Sequence, residues 1–318
     1  MLNYLYKRLI ALLPTALVPI VFIFFLVRLA PGDPARNILG DYATEDDVTA
    51  LRHTLGLDRS LLSQFFDFVS SVFRGDLGDS FYMHDKVSHI IPPYAAVTLQ
   101  IGVMAMIIAF IFGVSLGVII AFKKHKWIGK LARALALIGI STPSFFIAIL
   151  VIIILAIKLN LFAVGLYAPI EFGYYEHFKS LFMPALSLGI AESAFIARVV
   201  GGALKDVMNE PFVTTARSLG VSEKRIIAIH IMRLVSLQVI TVLGLFAASL
   251  ISGSVIMENI FGIPGLGSVL LNAVTNRDYF LIEGVVIMTG SFIIFFNLVV
   301  DLLYALIDPR VQYQGGEK

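Results

Sequence analysis

Long apolar runs separated by shorter polar segments dominate this chain. Six runs reach about 20 residues, the length at which a helix crosses a roughly 30 Å hydrocarbon layer. They cover approximately residues 9–29, 97–122, 134–157, 181–200, 234–257 and 284–307. The pattern predicts an all-α membrane protein with about six transmembrane helices, the fourth of which carries Pro184 and Glu192.

The polar segment after the first run predicts a small helical cap. Thr44 precedes Glu-Asp-Asp and a helical repeat of apolar residues that Gly56 ends, and either Asp58 or Ser60 can begin a second helix that runs to Arg74-Gly75. We therefore divide the chain into a first transmembrane helix (1–30), an extracytoplasmic helical cap (31–96) and a five-helix core (97–318) with a large polar segment at 203–233.

Composition places the surplus of apolar side chains against lipid. The chain is 58% hydrophobic and 14% charged, whereas a soluble domain averages about 25% charged residues. A net charge of +2 without long basic blocks gives no indication of a nucleic-acid partner. The chain has no Cys, which excludes disulfides, thiolate metal sites and Cys nucleophiles.

Cationic residues predict the orientation. With the N-terminus inside, the inner segments hold 15 of the 24 Lys and Arg residues, and the loop at 123–133 has five cations and no acid. We therefore expect both termini to be cytoplasmic. The first apolar run ends at Arg28-Leu-Ala-Pro-Gly-Asp-Pro34 without a small-x-small cleavage site, so we interpret it as a retained helix and not a signal peptide.

The inner segment 203–233 predicts two short helices joined by a tight turn. Asn209 can cap a helix that has Pro211 in its first turn, and Gly220 stands where a left-handed residue would end that helix. Ser222 can cap the second helix. Such a hairpin suits docking into a groove on another protein, although a solvated loop with two amphipathic turns fits the same pattern.

This segment resembles a known family. Thr214-Thr-Ala-x-x-x-Gly220, followed by Ile226-Ile-x-x-His230-Ile-Met-Arg233, resembles the coupling loop of binding-protein-dependent importers of the ATP-binding-cassette (ABC) superfamily. The resemblance is to the B-type permease of the dipeptide/oligopeptide/nickel branch, and it covers nearly the whole chain. The other motifs that carry it, in order, are Arg28-Leu-Ala-Pro-Gly-Asp-Pro-Ala35, Leu55-Gly-Leu-Asp58, Arg74-Gly-Asp-Leu-Gly78, Ser141-x-Pro-Ser-Phe145, Pro264-Gly-Leu-Gly267, Arg277-Asp-Tyr279 and Asp301-Leu-Leu-Tyr-Ala-Leu-x-Asp-Pro-Arg310.

Two positions depart from the family pattern. Thr214-Thr215-Ala216 replaces the superfamily's Glu-Ala-Ala triplet, which this branch often lacks. Gln238 stands where a proline usually follows the coupling loop, so we expect a less kinked start of the fifth transmembrane helix.

The resemblance implies a type I ABC importer permease in a bacterial plasma (inner) membrane. Its implied partners are a second homologous permease, two ATP-binding-cassette ATPase subunits and an extracytoplasmic solute-binding protein. The chain has no G-x-x-x-x-G-K-[ST] motif, so we expect ATP and Mg on the ATPase subunits, no cofactor on this chain and no enzymatic activity of its own. The residues implied in ATPase coupling are Phe212, Thr215, Ala216, Arg217, Leu219, Gly220, Arg225 and His230.

The sequence indicates a translocation path less clearly than it indicates the coupling loop. Glu192 is costly at bilayer depth, so it should face a cavity, or else bond to a neighbouring helix. Pro143 and Ser144, at a predicted kink, are further candidates, although irregular packing explains a proline equally well. Glu258 and Glu283, at outer ends of helices, are interpreted as solvated at the headgroup level. The outer-cap histidines have no metal-ligand spacing, so we expect no metal site.

Two other classes of function compete with the importer. A secondary transporter driven by an ion gradient is usually built from repeats and more spans, with broken helices at mid-membrane, whereas six spans without visible repeats and the coupling-loop pattern argue against it here. An intramembrane enzyme would need a motif such as H-E-x-x-H or G-x-S-x-G, and neither occurs. The solute stays open among peptides, glutathione-like compounds, nickel chelates and sugars, with peptides expected.

Overall fold

The computed structural model describes residues 2–29, 32–40, 42–123 and 125–307. Almost all of them are helical. The elements are α1 (Leu2–Leu29), α2 (Pro34–Leu39), α3 (Glu45–Thr54), α4 (Leu61–Phe73), β1 (Asp79–Ser80), β2 (Asp85–Lys86), α5 (Val87–Phe122), α6 (Trp127–Ser141), α7 (Ser144–Val151), α8 (Tyr174–Met208), α9 (Pro211–Ser218), α10 (Glu223–Arg225), α11 (Met232–Phe261), α12 (Leu266–Thr275) and α13 (Tyr279–Ile307). A π-helix continues α7 (Ile152–Lys158), another precedes α11 (Ile226–Ile231), and a 3-10 turn covers Ile170–Phe172.

The long helices confirm the membrane class. Four helical stretches are long and apolar enough to cross a bilayer, and counting bent helix pairs as single spans raises the number to six. The four are Val87–Phe122, Tyr174–Met208, Met232–Leu250 and Tyr279–Tyr304. Helix α1 covers the first predicted run, and its segment Leu17–Leu29 is apolar.

Two predicted helix boundaries are wrong, and prolines lie at both places. The second run was expected to begin at residue 97, but α5 begins at Val87 and continues through Pro92 and Pro93. A proline inside a helix costs about 3 kcal/mol, and the burial of Val87 and Ile91 offsets that cost here. The third run is two helices, α6 and α7, whose axes are bent by 112°. Thr142 is extended (φ −96°, ψ 124°), because the ring of a following proline disfavours the helical conformation.

The chain divides into two compact units, which we call the cap unit and the core unit. The cap unit contains Tyr6–Val97 and Pro264–Ile294. The core unit contains Thr98–Ile263 and the segment from Phe295 onward, together with the first few residues of the chain. The division of the sequence into first helix, cap and core at residues 30 and 96 stays a prediction.

The predicted cap helices are present. The Thr44 hydroxyl accepts a hydrogen bond from the Asp47 amide (3.3 Å) and begins α3, and the Ser60 hydroxyl accepts one from the Ser63 amide (3.3 Å) and begins α4. Gly56 follows α3 with φ +65°. The antiparallel pair β1 and β2 was not predicted, since two-residue strands leave no alternation in the sequence.

Apolar side chains from four helices form the interior of the cap unit. They come from the C-terminal part of α1, the N-terminal turns of α5, and α12 and α13. The buried members are Val27, Val87, Ile90, Ile91, Ala95, Leu266, Val269, Ala273, Tyr279, Leu281, Ile282 and Val285. This interior explains why the cap is an ordered unit and not a loop over the membrane helices.

The core unit is organised around α8, which packs against α6, α7 and α11. Glycines let α5 approach α8 closely: a Cβ on Gly113 would lie 2.6 Å from the Cβ of Ile196, and one on Gly117 would lie 2.7 Å from the Cβ of Val200. The spacing of four residues between these glycines puts both on one face of α5. Pro184 is buried within α8, which continues through it.

Candidate coupling surface and buried membrane carboxylates

The junction between α8 and α9 is set by Asn209 and Glu210. Asn209 is helical (φ −93°, ψ −2°) and ends α8, whereas Glu210 is extended (φ −67°, ψ 144°) and precedes Pro211. The prediction that Asn209 caps the next helix is therefore wrong. The residue before a proline is driven out of the helical region, so the cap position falls on Glu210.

Helix α9 presents a largely exposed surface. Val213 is fully buried and anchors the helix, while Phe212 is 38% and Leu219 is 78% exposed. Thr215 is exposed and Ala216 is half-buried. The Thr215 hydroxyl donates to the Pro211 carbonyl (3.0 Å), so its own helix already satisfies it. The surface offers apolar bulk and small side chains, with few free polar groups.

The turn after α9 has the predicted geometry. Gly220 has φ +77°, a conformation that glycine adopts at little cost. Its amide donates to the Arg217 carbonyl (2.9 Å), and the Val221 amide donates to the Ala216 carbonyl (3.1 Å). These bonds satisfy the last carbonyls of the helix and fix the direction in which the chain leaves it.

An ion pair closes the same turn. The Arg217 guanidinium donates from Nε to Glu223 Oε1 (2.6 Å), across five intervening residues. This hydrogen bond and the charge of Glu223 raise the pKa of Arg217. The pair is exposed, so it adds little stability, but it restrains Arg217 against its own turn.

The second arm of the predicted hairpin is part of a longer helix. Ser222 lies at the cap position of α10 as predicted, although its side chain makes no capping hydrogen bond. After Arg225, which is exposed, the backbone continues through the π-helix Ile226–Ile231 directly into α11. Ile226 and Ile231 are buried and hold this arm. Two separate short helices are therefore not formed: α10 has a continuous helical connection to α11, and the Gly220 turn separates it from α9. The side chain of His230 lies outside the described residues.

The three candidate path residues occupy different environments. Glu192 is half-buried in the middle of α8, Pro143 is exposed at the corner between α6 and α7, and Ser144 is half-buried in the first turn of α7. They lie on different elements, α8 and the corner between α6 and α7, and their role in translocation stays a prediction.

Two carboxylates that were expected at the solvated headgroup level are buried. Glu258 is fully buried in α11 and accepts a hydrogen bond from the Thr98 hydroxyl of α5 (2.7 Å). Glu283, in α13, is 1% exposed and pairs with Arg28. The prediction of solvation was wrong for both, because neighbouring helices cover the ends of these spans.

Arg28 organises a polar cluster in the cap unit that the sequence analysis missed. Besides Glu283, its guanidinium donates to Gln64 Oε1 (3.0 Å) and lies 3.6 Å from the ring centroid of Phe24. Gln64, in α4, donates to the carbonyls of Leu57 (3.2 Å) and Arg59 (3.0 Å). The cluster thus joins α1, α4 and α13. The sequence contained one signal for this cluster: a positive charge at the end of the first apolar run and a negative charge at the start of the last.

Residues of two sequence motifs, those that contain Gly32 and Asp278, make close contacts in the cap unit. Asp278 accepts hydrogen bonds from the Ser80 hydroxyl (2.6 Å) and the Tyr82 amide (3.1 Å), so it fixes the β1–β2 hairpin to the start of α13. The Arg277 guanidinium lies where a side chain on Gly32 would be, since a Cβ there would meet Arg277 Nη1 at 1.8 Å. These motif residues therefore have a structural role, because they hold segments of the cap unit together.

Histidines of the cap unit lie beside single carboxylates. His53 is 3.9 Å from Asp58, and His89 is 3.3 Å from Asp85, all with exposed side chains. Within the described ranges, no group of three or more His, Asp or Glu side chains could hold a metal ion.

Comparison with known proteins identifies the class. Residues 113–313 match the family described as binding-protein-dependent transport system inner membrane component, and residues 1–101 match the N-terminal family of the same membrane components. The glutathione transport system permease protein GsiC of Salmonella typhimurium is 36% identical over 99% of this chain and 100% of its own length. A Brucella abortus protein named for a peptide transport system permease is 35% identical over 96% of this chain and 98% of its own.

Solved structures agree on the fold. A chain of the MetNI methionine ABC transporter, in an inward-facing crystal form, aligns with a TM-score of 0.53 and 15% identity over 69% of this chain and 96% of its own. At that identity the likeness concerns the fold alone, which is that of type I ABC importer permeases. The alternative of a secondary transporter is therefore not supported. The chain belongs to the family of binding-protein-dependent transport system inner membrane components and is a permease of the ABC importer class.

Proposed function

We propose that this permease forms one half of a path for peptides or peptide-like solutes such as glutathione, and that α9 couples the path to a separate ATPase. The proposal for the solute is supported by the names of its relatives, which are transport permeases for peptides and for glutathione. The proposal for coupling is supported by the exposed apolar side chains of α9.

The coupling role follows from the shape and the anchoring of α9. A chain without a nucleotide-binding motif needs a mechanical contact with the subunit that hydrolyses ATP. Phe212 and Leu219 offer apolar bulk to such a contact, while buried Val213 and the Gly220 turn keep the helix in place. Because hydrogen bonds hold the Gly220 turn between α9 and α10, and α10 continues into α11, a displacement of α9 is transmitted to a membrane helix.

The assembly we propose has four kinds of partner. Two ATPase subunits carry ATP and Mg, one of which docks on α9 of this chain, a second homologous permease completes the path, a solute-binding protein docks outside, and lipid surrounds the spans. In this arrangement α9 and both termini are cytoplasmic, and the membrane is the bacterial inner membrane. Phe212, Thr215, Ala216, Arg217, Leu219, Gly220, Arg225 and His230 form the coupling region.

The coupling role is tested by Gly220→Val and Phe212→Ala in the co-expressed transporter. A β-branched residue at φ +77° is strained by roughly 1–2 kcal/mol, and should misdirect the chain into α10. Loss of a buried aromatic anchor at an interface costs about 2 kcal/mol, close to a thirtyfold loss of occupancy. We expect both variants to reach the membrane at normal levels but to lose ligand-stimulated ATPase activity or to release the ATPase during purification.

Matched controls are available in the core unit. Gly202→Ala changes a glycine of α8 that has open space around its Cβ position, and Phe172→Ala removes a phenylalanine that is 76% exposed elsewhere. Both should behave as wild type. Wild-type stimulation and co-purification in the α9 variants would show that α9 is only a solvated segment. The solute is tested separately by mass spectrometry of the ligand on the co-purified solute-binding protein, where a sugar or a nickel chelate would contradict the peptide proposal.

A further inference from the structure

An apolar groove of about 480 Å³ lies on the core unit. One wall is the start of α8, with Tyr174, Tyr175, Phe178, Lys179 and Phe182, and the other contains Met104 of α5 and Phe162. The α8 positions follow the spacing i, i+1, i+4, i+5 and i+8, so they share one helical face. A volume of this size is within the range of about 300–1,000 Å³ that is typical of small-molecule sites.

The walls of the groove are held by specific contacts. The rings of Phe162 and Phe182 stack at 5.3 Å. Buried His177, whose ring contacts that of Phe178, donates from Nδ1 to the Ala168 carbonyl (2.8 Å), and its Nε2 is 2.8 Å from Gln100 Oε1. These bonds fix the segment after α7 to both α5 and α8. The groove is therefore a formed feature of the core unit.

The position of the groove along the membrane helices places it near the bilayer boundary. Met104 lies 18 residues before Phe122, the end of α5, which corresponds to about 27 Å of helix. That distance nearly spans a hydrocarbon layer of roughly 30 Å, so Met104 lies close to the far edge of the layer. Tyr174 and Tyr175, each 73% exposed, are of the residue type that collects at membrane–water interfaces.

The charges around the groove define the ligand. Lys179 contributes a half-buried ammonium to the lining, and its Nζ lies 5.5 Å from the centroid of the Tyr175 ring. Glu176, which is exposed, precedes Lys179 by three residues, so the two side chains are neighbours on the surface of α8. An apolar groove with a cation in its lining and a carboxylate next to that cation complements an acyl chain, a phosphate and an ammonium group, in that order.

We infer that the groove binds one zwitterionic phospholipid with a primary ammonium headgroup, such as phosphatidylethanolamine. The acyl chain lies along Met104 and the stacked rings of Phe162 and Phe182, Lys179 pairs with the phosphate, and Glu176 accepts hydrogen bonds from the ammonium. An anionic headgroup without an amine would be repelled by Glu176, and a quaternary ammonium has no N–H to donate. Since lipid retention is measured without transport, this inference does not depend on the coupling role of α9.

The inference is tested by native mass spectrometry of the complete transporter after delipidation. The protein is offered equal amounts of phosphatidylethanolamine, phosphatidylglycerol and phosphatidylcholine with matched acyl chains. We expect wild type to retain phosphatidylethanolamine, and Lys179→Met to retain roughly tenfold less, the loss that corresponds to one charge-assisted hydrogen bond. Lys158→Met, which removes an exposed lysine outside the groove, should retain wild-type amounts. Glu176→Gln should lose the preference over phosphatidylglycerol.

A second measurement locates the lipid. Phosphatidylethanolamine with a photoreactive diazirine near the end of one acyl chain should label peptides that contain Met104 or Phe182. Equal retention of the three lipids by wild type, or wild-type retention by Lys179→Met, would overturn the inference. Labelling confined to other peptides would also overturn it, including the case in which the second permease fills the groove.

Discussion

Removing either partner of the Arg28–Glu283 pair should destabilise the cap unit strongly. The side chain of Arg28 is 9% exposed and that of Glu283 is 1% exposed, so neither charge has water to replace a lost partner. Breaking a buried pair costs about 3–5 kcal/mol, whereas replacing both members with apolar side chains is often neutral. The perturbations are therefore Arg28→Met, Glu283→Leu and the double variant.

The surroundings of the pair predict an order among the variants. Without Glu283, Arg28 still has Gln64, the Phe24 carbonyl (3.4 Å) and the Phe24 ring. Without Arg28, Glu283 keeps no hydrogen-bond partner among the described residues, because its Oε1 atom bonds to Arg28 and its Oε2 atom already lacks a partner there. Arg28→Met should thus be the more severe change. The double variant should lose only about 1–2 kcal/mol, the contribution of the hydrogen bond to Gln64.

Thermal unfolding of the purified protein in one detergent measures these differences. At about 2–4 °C per kcal/mol, each single variant should lower the unfolding midpoint by roughly 6–20 °C, and the double variant should recover most of that loss. Arg36→Met is the matched control, because the Arg36–Glu45 pair is in the same unit but exposed. An exposed pair contributes at most about 1 kcal/mol.

Additive losses of stability in the two single variants would refute this reasoning. If the double variant lost as much as the sum of the single variants, the two charges would not interact in the folded protein. A midpoint of Arg28→Met equal to that of Arg36→Met would likewise mean that water reaches the pair.

Three further predictions concern orientation, helix packing and the cap. Single cysteines at positions 56, 124, 220 and 316 should react with an impermeant reagent from outside only at 56, and outside labelling of 124 would contradict both cytoplasmic termini. Gly113→Ala should destabilise the protein by about 1–3 kcal/mol in thermal unfolding, because its Cβ would lie 2.6 Å from Ile196 Cβ and 2.9 Å from the Ser193 carbonyl, whereas Gly202→Ala should not. Deleting residues 44–73 should abolish uptake while the ATPase still co-purifies, and surviving transport would exclude a docking or gating role for these helices.

Much of the fold could be predicted because its signals are local. The apolar runs, the caps at Thr44 and Ser60 and the glycine turns at Gly56 and Gly220 each depend on a few adjacent residues. The predictions that failed concern features that depend on packing between distant segments. The start of α5 at Val87 is stable through two prolines only because the cap unit buries its first turns. The bend before Pro143 was visible as a proline, but its angle of 112° was not.

The local structure of residues 211–220 was predicted better than the surroundings of the membrane carboxylates, and the reason is geometric. These residues form one short helix and one turn, so their spacing in the sequence fixes their arrangement. Their role in coupling stays a prediction. Arg217 is a partial exception: its ion pair with Glu223 reaches across the turn, and charge spacing alone did not reveal it.

Glu258 and Glu283 show what hydropathy leaves out. Hydropathy gives the depth of a residue along the membrane normal, and both glutamates do lie toward the ends of apolar helices. It contains no information about what covers those ends. A carboxylate at the end of a span is solvated only if no neighbouring segment packs over it. In the cap unit, α1 brings Arg28 to Glu283, and Gln64 of α4 accepts a hydrogen bond from Arg28. Because a buried carboxylate needs a partner, the more useful inference from sequence is a search for an opposite charge at the same depth on another helix. In this chain that search pairs Arg28, at the end of the first apolar run, with Glu283, at the start of the last.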